Sequence, residues 1–356
     1  MKAIVVAGGT GGHIYPALAL ADKWKQLYPE SEILFIGNDD RMEAELIPSY
    51  GYSFQSLHTS GLVGNVFSKL KAVGQLFLAY QKAKSYLKEF KPDLVMGFGG
   101  YVSAPVILAA SHYSIPVVIH EQNSIVGKSN QLVMNKVNQI FTCYEKCKEV
   151  FPEEKISLLG NPRATLAIES KFDLEYFKSL HLDENKKTIL IMMGSLGSSS
   201  INKLMKESLK GSFDRLQFLY VCGKNNEDDM SELENENIHV VNYVDTLRIY
   251  AHVDGLICRA GATTIAELTA LGIPSILIPS PYVAENHQYY NAKELVDKHA
   301  AYMIEEKDLN SKTLQSKIQS LFCDEKEMEI VSECAKKLGK PKAAYDIIQA
   351  CQKLVG

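Results

Sequence analysis

No apolar run in this 356-residue chain approaches the ~18 residues that a spanning helix needs, so the protein is expected not to cross a membrane. Basic excess is missing too. Lys and Arg number 38 against 42 Asp and Glu, a formal charge of −4, which excludes a global attraction to nucleic acid and confines any pull on phosphate or lipid to local patches. The seven cysteines are odd in number and scattered, with no second Cys or His pair at zinc spacing beside Cys143 and Cys147. No signal peptide precedes the first strand, so they are expected to be unbonded thiols in a reducing cytosol. No Asp-x-Asp pair occurs, so no metal is required, Mg²⁺ being at most a stimulant. The dinucleotide fingerprint fails as well. A G-x-G-x-x-G frame begun at Gly9 meets Ile14 where its third glycine belongs, which counts against NAD.

What is present is an ordinary globular composition, 46% apolar, long enough for two domains of roughly 150–180 residues. Strand-like runs alternate with helical patterns: Ile4–Ala7, Ile33–Gly37, Leu94–Gly97, Val117–His120, Ile140–Cys143 and Ile156–Leu159. The series restarts with Thr188–Met193, Leu216–Val221, Val240–Val244, Gly255–Cys258 and Ser275–Pro279. This punctuation predicts an α/β protein of two doubly wound, Rossmann-like domains with a ligand cleft between them. The expected division is 1–162, 163–340, and a terminal helix at 341–356 packing back on the first domain.

The first strand breaks into Gly8-Gly9-Thr10-Gly11-Gly12-His13 and then a helix, a turn whose free amides suit diphosphate or another electron-rich oxygen group. An imidazole at its mouth can move protons. Gly99-Gly100-Tyr101-Val102-Ser103 follows a later strand and reads equally as a helix-starting turn or as ligand contact. His120-Glu121-Gln122-Asn123 follows another and is expected at the cleft edge rather than in the core. In the second half, Gly194-Ser195-Leu196-Gly197 and Cys258-Arg259-Ala260-Gly261-Ala262-Thr263-Thr264-Ile265-Ala266-Glu267 each end a strand and open a helix. Glu267 reads either as a clamp for a ribose cis-diol or as an acid favoured by the helix dipole. The polar run Glu285-Asn286-His287-Gln288-Tyr289-Tyr290-Asn291 suits sugar hydroxyls.

Phe67, Leu70, Val73, Phe77, Tyr80 and Leu87 recur at helical spacing among Lys69, Lys71, Lys82, Lys84, Lys88 and Lys91. One reading packs that apolar stripe on its own sheet; the other makes it a docking face for anionic lipid.

Taken in order, Gly-Gly-Thr-Gly-Gly-His, Gly-Gly-Tyr-Val-Ser, His-Glu-Gln-Asn, Gly-Asn-Pro-Arg, Gly-Ser-x-Gly, Gly-Ala-x-Thr-x-x-Glu and Gln-x-x-Asn-Ala resemble the MurG family across residues 1–350. The resemblance implies an inverting GT-B glycosyltransferase, peripheral on the cytoplasmic face of the cell membrane. It would move GlcNAc from UDP-GlcNAc to the 4-hydroxyl of the MurNAc of undecaprenyl-diphosphoryl-MurNAc-pentapeptide (lipid I to lipid II). Thr10, Gly11 and Gly12 would then approach the donor and Asn123 its sugar. Arg163 and Ser195 would meet the diphosphate, Val244 would offer backbone to uracil, and Gln288 would read GlcNAc. Ala262, Thr263, Thr264, Ile265, Ala266 and Glu267 would wrap phosphate, sugar and ribose. His13 is the candidate base and Glu121 the alternative. Other readings of the same fold are a UDP-GlcNAc epimerase or a diacylglycerol glycosyltransferase.

Overall fold

The computed structural model describes residues 1–61, 65–193, 199–209, 215–223 and 230–356. The chain divides into two compact units, Met1–Arg163 with Lys342–Gly356, and Ala164–Pro341.

In the first unit, a wholly parallel sheet runs in the order β3-β2-β1-β4-β5-β6-β7. Its strands are β1 (Lys2–Ala7), β2 (Glu32–Asn38), β3 (Ser53–Leu57), β4 (Leu94–Gly99), β5 (Val117–Glu121), β6 (Gln139–Thr142) and β7 (Ile156–Leu158). The central strands are continuous apolar runs because helices cover both faces of a parallel sheet. Edge strand β3, Ser-Phe-Gln-Ser-Leu, escapes the hydrophobic pattern: it is polar and only half-buried. Strand order reverses between β1 and β4, and in open sheets ligands bind beyond the carboxyl ends at such a reversal.

The last helix, Ala343–Val355, belongs to this unit. Its Ala344, Ile347, Ile348 and Cys351 are buried with Ile14, Leu18 and Trp24 of the helix Gly11–Leu27 and with Phe35, Met96 and Phe141 of the sheet. Each such isoleucine contributes about 1.5–3 kcal/mol by leaving water. The Tyr28 hydroxyl donates to Gln352 Oε1 at 3.1 Å and ties the two helices at the rim.

The second unit repeats the plan: β8 (Lys187–Met192), β9 (Leu216–Val221), β10 (Ile238–Val241), β11 (Gly255–Cys258), β12 (Ser275–Leu277) and β13 (Tyr302–Met303) form a parallel sheet ordered β10-β9-β8-β11-β12-β13. Ile191, Phe218, Tyr220 and Ile257 pack under Leu314, Ile318 and Phe322 of the helix Ser311–Phe322. Asn310 and Thr313 close a reciprocal capping box that starts this helix. Here the order reverses between β8 and β11.

Among the described residues no helix is long and apolar enough to cross a membrane. The helix Val66–Phe90 buries a stripe of small residues, Ala72, Ala79 and Ala83, with Leu87. Alanines let it lie close to the helix Ser103–His112 and turn its larger apolar side chains outward: Phe67 is 82% exposed and Phe77 61%. The reading that packs the whole aromatic stripe inward is therefore corrected; only Leu87 of that set is buried and Tyr80 half-buried.

Candidate active site

At the reversal point of the first sheet, the loop after β1 and the turn after β4 meet backbone to backbone. A Cβ on Gly100 would stand 2.4 Å from the Gly8 carbonyl oxygen, so only glycine fits there, and its φ of +84° favours glycine independently. Thr10 begins the helix Gly11–Leu27 in extended conformation, and the first bonds of that helix run from the His13 and Ile14 amides to the Thr10 carbonyl. The amides of Gly11 and Gly12 come before them at the positive end of the dipole.

The His13 imidazole lies against Gly99, where a Cβ would stand 2.8 Å from both Cδ2 and Nε2. Its Nδ1 is 2.9 Å from the Gly8 carbonyl oxygen. A carbonyl only accepts, so Nδ1 carries the proton and Nε2 of the neutral ring carries the lone pair that a base needs.

Behind this loop lies a residue that motif reading missed. Glu43 opens the helix Glu43–Ser49 and is completely buried. Both of its oxygens accept the Gly9 amide at 3.2 Å, and Oε1 also accepts the backbone and side-chain N–H of Asn38 at 3.0 and 3.3 Å. Every partner is a donor, as a carboxylate requires. Asn38 Oδ1 in turn accepts from the Thr59 amide and hydroxyl. Gly8 and Gly37 lack a Cβ where one would press on Glu43 at 2.6 Å. Nothing local marks Glu43, since it stands 34 residues from the amide it binds.

The residues at the end of β5 and just beyond it are placed differently from expectation. His120, Glu121 and Gln122 are all buried, at 1, 2 and 1% exposure, and only Asn123 is partly open. The physical reason is that each of these polar side chains gains at least one backbone partner. His120 Nε2 donates to the Gly160 carbonyl at 2.9 Å while Nδ1 has no partner, and the ring stacks on Phe98. Burial pushes its pKa down to about 4, the Gly160 bond opposing this and the nearby His13 charge adding to it. Gln122 donates to the Phe98 carbonyl. Glu121 accepts from the amides of Asn123 and Gly127 and from the Asn130 side chain, so it closes its own loop. A carboxylate held by three donors inside the protein is poorly placed to take a proton from a substrate. Ser129 donates to the Gly100 carbonyl and joins this loop to the second glycine turn.

Asn161 Oδ1 accepts the Arg163 amide at 3.0 Å, and Pro162 occupies the first position of the helix Pro162–Glu169, where a missing N–H costs nothing.

At the reversal point of the second sheet, β11 is followed by Arg259-Ala260-Gly261 and then by the helix Ala262–Leu271. Its first bond runs from the Ile265 amide to the Gly261 carbonyl, so the amides of Ala262, Thr263 and Thr264 stand ahead of it as an anion cradle. Ile265 itself is buried and Ala266 half-buried. Glu267 is also buried, and its Oε2 accepts from the Tyr250 hydroxyl at 2.7 Å. Tyr250 was not legible as a site residue from spacing.

Asn291 is not a surface contact for sugar: it is fully buried and its amide reaches the Ala260 carbonyl at 3.4 Å, which helps hold the start of that helix. Gln288, half-buried, accepts the Ser280 amide at 2.9 Å. Before its helix, Glu285 and Asn286 adopt left-handed φ of +54° and +51°, a cost of about 1–3 kcal/mol each that tends to gather at functional sites. Val244 is buried in the loop following β10. Ser195 lies outside the described residues.

Residues 3–142 match the glycosyltransferase family 28 N-terminal domain, and residues 188–349 the family's C-terminal domain. A protein of Bacillus pumilus is 41% identical over 98% of this chain and 99% of its own length. One of Bacillus cytotoxicus is 39% identical over the whole of both chains. Both carry the name UDP-N-acetylglucosamine–N-acetylmuramyl-(pentapeptide) pyrophosphoryl-undecaprenol N-acetylglucosamine transferase. Among solved structures, Acinetobacter baumannii MurG superposes with a TM-score of 0.79 at 27% identity, covering 99% of each chain.

Proposed function

Because the chain belongs to glycosyltransferase family 28, in its MurG branch, we infer that it transfers GlcNAc from UDP-GlcNAc to the MurNAc 4-hydroxyl of undecaprenyl-diphosphoryl-MurNAc-pentapeptide, the step from lipid I to lipid II. The observation that carries the chemistry is the tautomer of His13: with Nδ1–H committed to the Gly8 carbonyl, Nε2 is an acceptor beside two glycine turns.

The acceptor hydroxyl gives its proton to His13 Nε2 as its oxygen bonds to the anomeric carbon. The bond from that carbon to the diphosphate oxygen breaks, UDP leaves with the electron pair, and the configuration inverts in this single displacement. General base help of this kind contributes about 10²–10⁴-fold. Charge developing on UDP falls on the amides of Ala262, Thr263 and Thr264, with Arg163 and Ser195 assisting. Glu267, oriented by Tyr250, takes the ribose diol; Val244 offers backbone to uracil; Gln288 and Asn123 read GlcNAc. Thr10, Gly11 and Gly12 present the helix end to the reacting sugar. Fixed amides and a guanidinium carry the diphosphate charge, so this scheme needs no metal.

The enzyme works as a peripheral protein on the cytoplasmic membrane face. Phe67, Leu70, Val73, Phe77 and Leu78 on the helix Val66–Phe90 are exposed, as are Lys71, Lys82 and Lys88. Apolar side chains gain burial among acyl chains while the lysines meet anionic headgroups. Lys82 and Lys88 lie over the rings of Tyr86 and Tyr113, Lys84 is half-buried over Tyr80 and Tyr113, and the Lys69 side chain lies outside the described ones.

The deciding experiment is UDP release from UDP-GlcNAc with and without a soluble lipid I analogue, in EDTA and again in Mg²⁺. Acceptor-dependent release with a disaccharide product is expected in both buffers. Epimerised GlcNAc without acceptor, or transfer to diacylglycerol, would overturn the assignment.

A further inference from the structure

The bonds around the first glycine loop form one continuous line. Glu43 accepts the Gly9 N–H, and the Gly8 carbonyl accepts His13 Nδ1–H. That N–H and that carbonyl belong to the same peptide unit. A peptide group is a conjugated dipole, so an anion bound at its N–H drives electron density toward its oxygen, and bonds in series strengthen one another.

We propose that Glu43 is a positioning residue for the transfer, fixing the tautomer and raising the basicity of His13 through the Gly8–Gly9 peptide between them. The proposal rests on the reading of His13 as the base. The logic is that of a carboxylate behind a catalytic imidazole, with a peptide inserted between the two. The negative oxygen of Gly8 stabilises the imidazolium that forms when Nε2 takes the acceptor proton.

Glu43 is the charged side chain bound to this peptide unit. Gly99 lies against the ring with no side chain, and Thr10 Oγ1, 3.4 Å from Nδ1, is neutral. His120 on β5 is held neutral in its buried site at working pH. Burial of Glu43 keeps its charge unscreened by solvent.

The test compares kcat against pH for the full-length enzyme, Glu43→Gln, His13→Asn and the double variant, with UDP-GlcNAc and a soluble lipid I analogue. Gln keeps the size of Glu and removes the charge. Glu43→Gln should lower kcat by about 10–100-fold, the scale on which an outer partner supports a working histidine. KM for UDP-GlcNAc should stay unchanged. The acidic limb of the profile should move to lower pH, because loss of a nearby negative charge disfavours imidazolium. The double variant should be no slower than His13→Asn alone.

Wild-type kcat in His13→Asn would sink the base reading itself. A slow His13→Asn beside a Glu43→Gln variant with an unmoved acidic limb would overturn the relay and leave the base in place. A second measurement needs no change at position 43. The Asn38 amide binds Glu43 Oε1 and makes no bond to the imidazole, so its NMR signal should move at the midpoint of the His13 titration. In His13→Asn that movement should vanish. An Asn38 signal static through the His13 titration would refute the coupling.

Discussion

Gly99→Ala puts the geometry of the imidazole to a quantitative test. Two separate costs arise at this position. Its φ of +114° is one that an L residue rarely adopts, which costs about 1–3 kcal/mol. The new Cβ would also stand 2.8 Å from His13 Cδ2 and Nε2, closer than carbon and nitrogen pack, so the ring must turn away. Turning it breaks the 2.9 Å bond from Nδ1 to the Gly8 carbonyl and with it the fixed tautomer. Gly51→Ala separates the two effects, since Gly51 has a φ of +82° and nothing within 4 Å of its would-be Cβ. The backbone strain should cost both variants about 1–3 kcal/mol of stability, which lowers the Tm of a unit this size by about 2–4 °C for each kcal/mol, and Gly99→Ala should lose more because its Cβ also displaces the ring. Only Gly99→Ala should lose kcat, by up to about 10²–10⁴-fold, with UDP affinity unchanged. Thermal melts, UDP titration and acceptor-dependent UDP release on the two proteins provide the comparison. Equal kcat in the two variants would show that the ring position against Gly99 does not matter to the reaction.

His13→Ala should lower kcat about 10²–10⁴-fold while leaving UDP binding intact, as read by single-turnover kinetics and calorimetry; unaltered turnover would remove it from the reaction. Buried His120 supplies a pH dependence: its folded pKa, about 4, lies below the unfolded value near 6.5, so the unfolded chain binds the proton more readily. Stability is therefore full above pH 6.5 and falls by about 3 kcal/mol as pH drops toward 4. Denaturant unfolding of wild type and His120→Gln at pH 7.5 and 4.5 checks this, and equal losses in both would contradict it. Replacing Phe67 and Phe77 by Ser, or reversing the charge of Lys71 and Lys82, should weaken binding to vesicles rich in anionic lipid without changing UDP affinity, measured by co-sedimentation; undiminished binding would leave that helix face without a membrane role.

The parallel sheets and the glycine turns at their strand ends could be read along the chain because each depends on short-range pattern. Continuous apolar runs mark strands buried on both faces, and Gly8-Gly9 or Gly99-Gly100 mark places where backbone must turn or approach. His13 was legible for the same reason, being adjacent to the turn that presents it. Strands without that pattern, Ser53–Leu57 and Tyr302–Met303, were not. Strand order and packing decided the rest. They bring Glu43 beneath Gly9, set Tyr250 against Glu267, and bury His120, Glu121 and Gln122 with backbone partners although their side chains are polar. They also choose which stripe of the helix Val66–Phe90 is buried, taking the alanines inward and leaving the aromatics outside. Local periodicity names an amphipathic helix, but which face is buried depends on how closely the surface beneath it allows the backbone to approach, and only the folded chain supplies that surface.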